Sequence, residues 1–108
     1  MGEKEVGRVT HFFTRLGVTA VRLGEDEGCC LKPGDTIAIK KPGGTVRISE
    51  REILKIENNH SQVVSAGRND HVGVLLLLPR EKDARGIPAY VVTPRPGDRI
   101  VLVTQPAA

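Results

Sequence analysis

Aromatic side chains are nearly missing from this chain: Phe12, Phe13 and Tyr90 are the whole set, and tryptophan is absent. A surface that binds single strands by stacking successive bases on several rings is therefore poorly supported. Cysteine is confined to the adjacent pair Cys29 and Cys30. Neighbouring cysteines bridge only under strain, and distant partners for a disulfide framework or a zinc site are lacking. A reducing compartment fits, with one cysteine expected buried and the other exposed. Lys32 would favour a reactive thiolate there, but Glu25, Asp26 and Glu27 oppose it.

Long apolar runs are absent too. The longest, Val72 to Leu78, is strand-sized and far short of the ~18 residues of a spanning helix. With a charged start at Met1-Gly2-Glu3-Lys4-Glu5, the expectation is a soluble cytoplasmic chain without membrane contact. The glycine pair Gly43-Gly44 is followed by Thr45-Val46, so a phosphate-cradling Gly-Lys-Ser/Thr loop is missing and no cofactor is expected. His11, His60 and His71 match no metal-ligand spacing, and no serine or acid stands at a diagnostic distance from them. Metal: none and catalytic residues: none are the expectations, and the chain reads as non-enzymatic.

What is present is a turn device. Leu31-Lys32-Pro33-Gly34-Asp35-Thr36-Ile37 runs from a Pro-Gly-Asp turn into a strand, and Pro94-Arg95-Pro96-Gly97-Asp98-Arg99-Ile100 partly repeats it. Proline presets the first turn residue, glycine takes the left-handed one, and aspartate bonds nearby backbone amides. Asp35 and Asp98 are thus expected to be structural turn acids, not a catalytic pair. Short β-branched runs surround these turns. Val6 to Phe13, Val18 to Leu23, Thr36 to Lys40, Thr45 to Ile48, Glu52 to Ile56, Val72 to Leu78, Ala89 to Val92 and Arg99 to Thr104 read as strands.

Several expectations follow from the alternation. On the first strand Val9, His11 and Phe13 should share one face, with Thr10 and Phe12 on the other. Phe12 is expected to pack under the turn at 14–17, although an exposed Phe12 would stack a base or join an interface. The acidic tip at 24–28 is a solvated loop, and residues 41–44 form a hairpin turn. Ser49-Glu50-Arg51-Glu52 satisfies a capping box, yet its apolar continuation is short, so a bent or bulged strand is preferred to a helix. The run Val72 to Leu78 lacks alternation, so something should cover its second face. Pro79 to Pro88 is polar and proline-bracketed, and reads as a mobile loop or binding excursion. Residues 105–108 form a tail.

At 108 residues one domain is expected, with a core at about 5–104 and a loop insertion at 79–90. A chain of this size buries roughly 65% of its unfolded surface, enough for stability without staples. The fold class is all-β: a small closed antiparallel Greek-key barrel of about six strands. Net charge is +3, which permits contact with a polyanion without demanding it. The densest cations are Lys40, Lys41, Arg47, Arg51 and Lys55, opposed within their own hairpin only by Glu50 and Glu52. These five are the candidate nucleic-acid-binding residues. A second group, Arg80, Lys82, Arg85, Arg95 and Arg99, is diluted by Glu81, Asp83 and Asp98 and reads first as a solubilising set.

The order of motifs resembles a known family. Val6-Gly7-Arg8-Val9-Thr10-His11-Phe12-Phe13, Gly17-Val18-Thr19-Ala20-Val21 and Leu31-Lys32-Pro33-Gly34-Asp35 are similar to the second, β-barrel domain of translational GTPases of the elongation factor Tu type. Ala66-Gly67 before Val72-Gly73-Val74-Leu75-Leu76, and Val92-Thr93-Pro94-Arg95-Pro96-Gly97-Asp98, resemble that family's later turns. Thr10-His11-Phe12-Phe13 looks closer still to stand-alone elongation-factor-like proteins without a GTPase domain. Two departures stand out: the P-loop is missing, and residues 79–90 are additional. The resemblance implies a non-catalytic translation-factor-like module that contacts tRNA, ribosomal RNA or a ribonucleoprotein such as the ribosome. A similar barrel is appended to U32-type collagenase-like peptidases, which implies the alternative of a protein-interaction or accessory barrel, as a homodimer or as partner of a separate enzyme.

Overall fold

Nine strands make up residues 2–104, the portion that the computed structural model describes: β1 (Gly2–Phe13), β2 (Val18–Leu23), β3 (Thr36–Lys40), β4 (Val46–Asn58), β5 (Ser61–Val63), β6 (His71–Leu76), β7 (Arg80–Lys82), β8 (Pro88–Tyr90) and β9 (Arg99–Thr104). The expected tail at 105–108 lies outside the described residues. Six strands form a ring in the order β3, β9, β1, β2, β6, β4, and a β3–β4 pairing closes it. All pairings are antiparallel, so the sheet is the small closed barrel that the strand pattern predicts. Its interior is aliphatic. Val9, Val21, Leu31, Ile37, Ile39, Ile53, Ile56, Val74 and Ile100 are all essentially without solvent exposure.

Three copies of one turn organise this ring, at residues 32–35, 67–70 and 95–98. In each, the aspartate N–H donates to the carbonyl three residues back: Asp35 to Lys32 at 3.1 Å, Asp70 to Gly67 at 3.1 Å, Asp98 to Arg95 at 3.0 Å. The aspartate carboxylate then accepts from the N–H of that same residue, at 3.0, 2.8 and 2.9 Å respectively. The third position is left-handed in every copy, with φ of 94° at Gly34, 64° at Asn69 and 90° at Gly97. Glycine supplies this conformation at no steric cost and asparagine tolerates it, which is why these residue types stand there.

Each turn docks by a pair of bonds, both with one strand residue in the first and third copies and with two adjacent residues at the end of β2 in the second. Gly34 N–H donates to Ile53 O and Ile53 N–H to Asp35 O, both at 2.8 Å. Asn69 N–H donates to Gly24 O and Leu23 N–H to Asp70 O, both at 2.9 Å. Gly97 N–H donates to Val9 O and Val9 N–H to Asp98 O, both at 2.8 Å. The turns then launch β3, β6 and β9, which pair with β4, β2 and β1. The sequence shows the device twice; the third copy is hidden because Arg68-Asn69 replaces Pro-Gly.

Irregularities correct the simple alternation. A bulge between Val9 and His11 leaves Thr10 without a partner on β2, where Val9 opposes Val21 and His11 opposes Ala20. The extra residue flips the phase of everything beyond it. Val9 and Phe12 therefore turn inward, while His11 and Phe13 lie exposed, so Val9, His11 and Phe13 do not share a face. Phe12 packs against the core. Ser49-Glu50-Arg51 continues β4 as strand, with register shifts on both sides, and no helix forms at the capping box. Gly7 permits β1 to lie against β2, since a Cβ there would stand 2.6 Å from the Arg22 carbonyl oxygen.

Residues 79–90 are not without secondary structure, as a loop would be. They fold into a two-stranded hairpin of their own, β7–β8. Asp83 organises its tip by accepting from Arg85 N–H at 2.8 Å and Ile87 N–H at 3.0 Å, while its backbone N–H donates to Ile87 O at 2.9 Å. These bonds, Ile87 N–H first, hold the Asp83 carboxyl below the usual carboxylate range. The polar composition reflects an exposed arm, not a lack of structure.

Candidate functional site

The basic hairpin is less free than its composition implies. Arg47 donates through Nε to Asp98 Oδ2 at 2.6 Å and through Nη2 to Asp98 Oδ1 at 3.2 Å. Asp98 is fully buried, and only 14% of the Arg47 side chain is exposed, so this is a desolvated two-point pair that ties β4 to the third turn. Lys40 Nζ bonds Glu3 Oε2 at 2.9 Å, and Lys55 Nζ bonds Glu57 Oε1 at 2.8 Å. Glu50 and Glu52 are therefore not the neutralising acids: Glu3 and Asp98, brought in by ring closure, and Glu57, two residues along β4 from Lys55, are. Arg51 is half-buried on β4, with its Nε enclosed and lacking an acceptor, and Lys41 is exposed in the turn before β4. In the second group, Arg99 pairs with Glu5 at 3.1 Å and Arg85 with Asp83 at 3.4 Å. Asp35 bonds Lys32 Nζ at 2.8 Å, which raises the Lys32 ammonium above its usual value.

A trench on the opposite flank has more of the character of a site. It runs over the outer face of β2, β6 and β4, in connected hollows of about 170, 450 and 300 Å³ that share Leu16 along their length. Register explains it. Leu75 lies between Val18 and Lys55, and Gly73 between Ala20 and Glu57, so a stripe of small and aliphatic side chains points outward. Gly73 makes the deepest step, because a Cβ there would come within 2.7 Å of Val18 Cγ1. Leu16, in the tight turn after β1, overhangs the stripe and is 70% exposed. The cover expected over the Val72 to Leu78 run is thus partial: Leu75 is half-buried, whereas Leu77 is 72% exposed.

The two ends of the trench differ chemically. At one end Phe13, Glu57, Asn59, His60 and His71 form the rim. Asn59 and His60 are the left-handed pair of a tight β4–β5 turn, with φ of 52° and 65°. His71 Nε2 lies 2.7 Å from Thr10 Oγ1, whose hydroxyl is placed to donate to Ala20 O at 3.2 Å. His11 packs edge-on to Phe13 at 4.5 Å. The fold thus draws the three histidines toward one end, yet no cluster of His, Cys, Asp and Glu among the described residues is arranged to hold a metal.

At the other end stand Arg80 and Tyr90 of the hairpin, beside Leu54 and Leu77. The Arg80 guanidinium lies 4.3 Å over the Tyr90 ring and bonds its hydroxyl, and Tyr90 in turn meets Phe12 edge-on at 5.3 Å. Such a trench can hold a flat or aliphatic group by dispersion and offer polar partners at its margins. Sequence reasoning missed it, because its residues come from four separate segments. One signal was available: an apolar run without alternation, interrupted by a single glycine. Cys29 is buried and Cys30 exposed, as the composition implies.

Known proteins give two likenesses. No family model matches the chain. Elongation factor 1-alpha of Cenarchaeum symbiosum is 32% identical over an alignment of 90 residues that covers 79% of this chain and 20% of that protein. The chain thus spans about one fifth of that relative's length, and the similarity supports a translation-factor-like barrel. Among solved structures, the C-terminal domain of a Geobacillus thermoleovorans protein assigned to the U32 peptidases superposes with a TM-score of 0.65 over 94% of this chain and 93% of that one, at 13% identity. That likeness is one of fold. No helix among the described residues is long and apolar enough to cross a membrane.

Proposed function

We propose that this chain is a translation-factor-like binding module, without catalysis or cofactor of its own, that receives an unpaired end of an RNA chain such as tRNA or ribosomal RNA. The observation that carries this reading is the trench: an apolar floor in hollows of about 170 and 300 Å³, lined by Leu16, Val18 and Leu75, with polar groups at its margins. A base slid between Leu16 and Leu75 would lose water from both faces. The Glu57 carboxylate at the margin would accept from an exocyclic amine, and Lys55 beside it would meet a phosphate. Similarity to an elongation factor supports RNA as the ligand class. On this reading Arg47 is a structural cation, and of the five hairpin cations Lys55 alone lines the trench.

The test is fluorescence anisotropy of labelled tRNA and of a short single-stranded RNA, read at low and then rising salt. Binding that weakens with salt and is lost in Leu16→Asp, at a position exposed enough to leave folding intact, is the expected result. Failure to bind either RNA at low ionic strength sinks the reading. A second reading is a protein-interaction or accessory barrel, favoured by the exposed apolar residues Leu54, Leu77, Ile87 and Val91 and by the shared fold with a peptidase's C-terminal domain. Mass in solution together with affinity capture decides it, since a strict monomer that recovers no protein eliminates that alternative.

A further inference from the structure

We infer that the β7–β8 hairpin is a prebuilt arm that grips the phosphates of the RNA strand leading into the trench. The inference rests on the RNA reading of the trench and adds to it a second contact, on an element that the resemblance to elongation factors does not account for. Register divides the arm into two unlike faces. Arg80 opposes Tyr90 and Lys82 opposes Pro88, whereas Glu81 opposes Ala89. Directly opposed residues share a face and neighbours alternate, so Arg80, Lys82 and Tyr90 lie together and Glu81 points to the other side.

The acids that dilute this segment in sequence therefore do not dilute the gripping face. Asp83 is engaged by the tip, through Arg85 and Ile87 N–H, and Glu81 is turned away. The face that holds Tyr90 is also the face at the trench. Among the described residues lining the 450 Å³ hollow, Arg80 is the only one that carries a charge, and every other is aliphatic, glycine or tyrosine. An anion is the complement of that arrangement. Arg80 is also preset: its guanidinium carbon stands over the Tyr90 ring with one nitrogen bonded to the hydroxyl, which leaves its remaining N–H groups available at little further entropic cost. Lys82 follows two positions along the same strand, about 6.7 Å away. That step is on the order of the distance between successive phosphates in an extended single strand, so the two cations suit neighbouring phosphates once the terminal base occupies the trench.

The arm is built to hold this pose. Tyr90 is anchored edge-on against Phe12, which packs on the barrel core, and the tip is closed by four hydrogen bonds around Asp83. A flexible basic loop would have to gain that order on binding each phosphate, at an entropic cost; this hairpin has it beforehand.

The experiment compares a short single-stranded RNA with adenosine, which has a base and no phosphate, on the full chain and on Lys82→Glu, Arg80→Ala and Arg80→Lys. Lys82 is exposed and is paired with Pro88, while the Tyr90 contacts are made by Arg80, so Lys82→Glu reads charge without loosening the arm, and Arg80→Lys keeps the charge where Arg80→Ala removes it. With Arg80→Ala and Lys82→Glu combined in one chain, RNA binding should weaken severalfold. Its dependence on salt should lose a slope of about 1.4, two phosphates at about 0.7 each for a single strand. Adenosine shifts in NMR spectra should stay as they are in Lys82→Glu, whose side chain lines none of the trench hollows. If the chain binds the RNA and the variants keep both affinity and slope, the arm proposal is overturned while the trench reading stands. If the chain binds neither RNA nor adenosine, both fall. If the variants change self-association or protein capture and leave RNA binding untouched, the arm serves a protein partner and the proposal is equally overturned.

Discussion

Removing the Asp98 carboxylate separates a structural role for Arg47 from a ligand-binding one. Asp98→Ala strips Arg47 of both its bonds and leaves Arg95 N–H without its acceptor, at a place where 1% of the carboxylate side chain and 14% of the arginine side chain meet solvent. Breaking a buried pair from one side costs about 3–5 kcal/mol, because the remaining charge is stranded. The repeated turn supplies an internal control. Asp35 makes the same backbone bonds, but its Lys32 partner is 68% exposed, so Asp35→Ala should cost only a hydrogen bond's net worth, about 0.5–1.5 kcal/mol. Asp70→Ala, which gives up the bond from Gly67 N–H, should fall in the same range of about 0.5–1.5 kcal/mol. Urea unfolding followed by circular dichroism measures all three. At about 4–8 °C per kcal/mol for a domain of this size, Asp98→Ala should also lower the melting temperature by upwards of about 12 °C. Equal losses for Asp35→Ala and Asp98→Ala would refute the reasoning. So would an Arg47→Met variant that keeps full stability yet no longer binds RNA.

Three further expectations are independent of that pair. Asp83 has a depressed folded-state pKa, so its contribution to the arm is complete above the ordinary carboxylate value of about 3.9 and is lost as pH falls through the lower folded value; amide exchange at Arg85 and Ile87 should accelerate there before the barrel amides do. His60 occupies the left-handed second position of a tight turn, where glycine is favoured, so His60→Gly should stabilise the chain by about 0.5–1 kcal/mol in thermal melts. Gly7→Ala should destabilise by about 1–3 kcal/mol, because the new methyl meets a backbone carbonyl that cannot rotate away; unchanged stability would mean that β1 and β2 can separate at that point.

Much of the fold was legible because its strands are short and each is announced by a turn. β2 and β3 run over the residues that alternation marks, Val18–Leu23 and Thr36–Lys40, and β9 begins directly after the second Pro-Gly-Asp turn. Phase was the weak point. One extra residue at Thr10 reverses every side chain beyond it, and no local feature of Val9-Thr10-His11 announces a bulge, since its cause lies in the partner strand. The hairpin at 80–90 was hidden for another reason: an exposed arm has no buried face, so it has no apolar alternation to read. Charge misled most. The hairpin cations look unopposed along the chain because Glu3 and Asp98 stand far from them in sequence and reach them only when the ring closes. The trench follows the same rule, since its floor comes from β2, β4 and β6 and its lip from Leu16.

The pairing of β1 with β9 brings Gly2 opposite Thr104, so the chain enters and leaves the barrel side by side. Closure of the ring is therefore the contact with the longest loop to draw in, and it is the step that a slow, late folding phase would report. It also means that the barrel has a natural second way of being cut. Joining the two ends and opening the exposed turn at 41–44 would preserve all three docked turns, and would turn closure into the pairing of β3 with β4 as the new terminal strands. A circular permutant of that kind should fold to the same barrel with altered kinetics, and a module whose ends meet in this way can be carried inside a longer chain without disturbing its own ring.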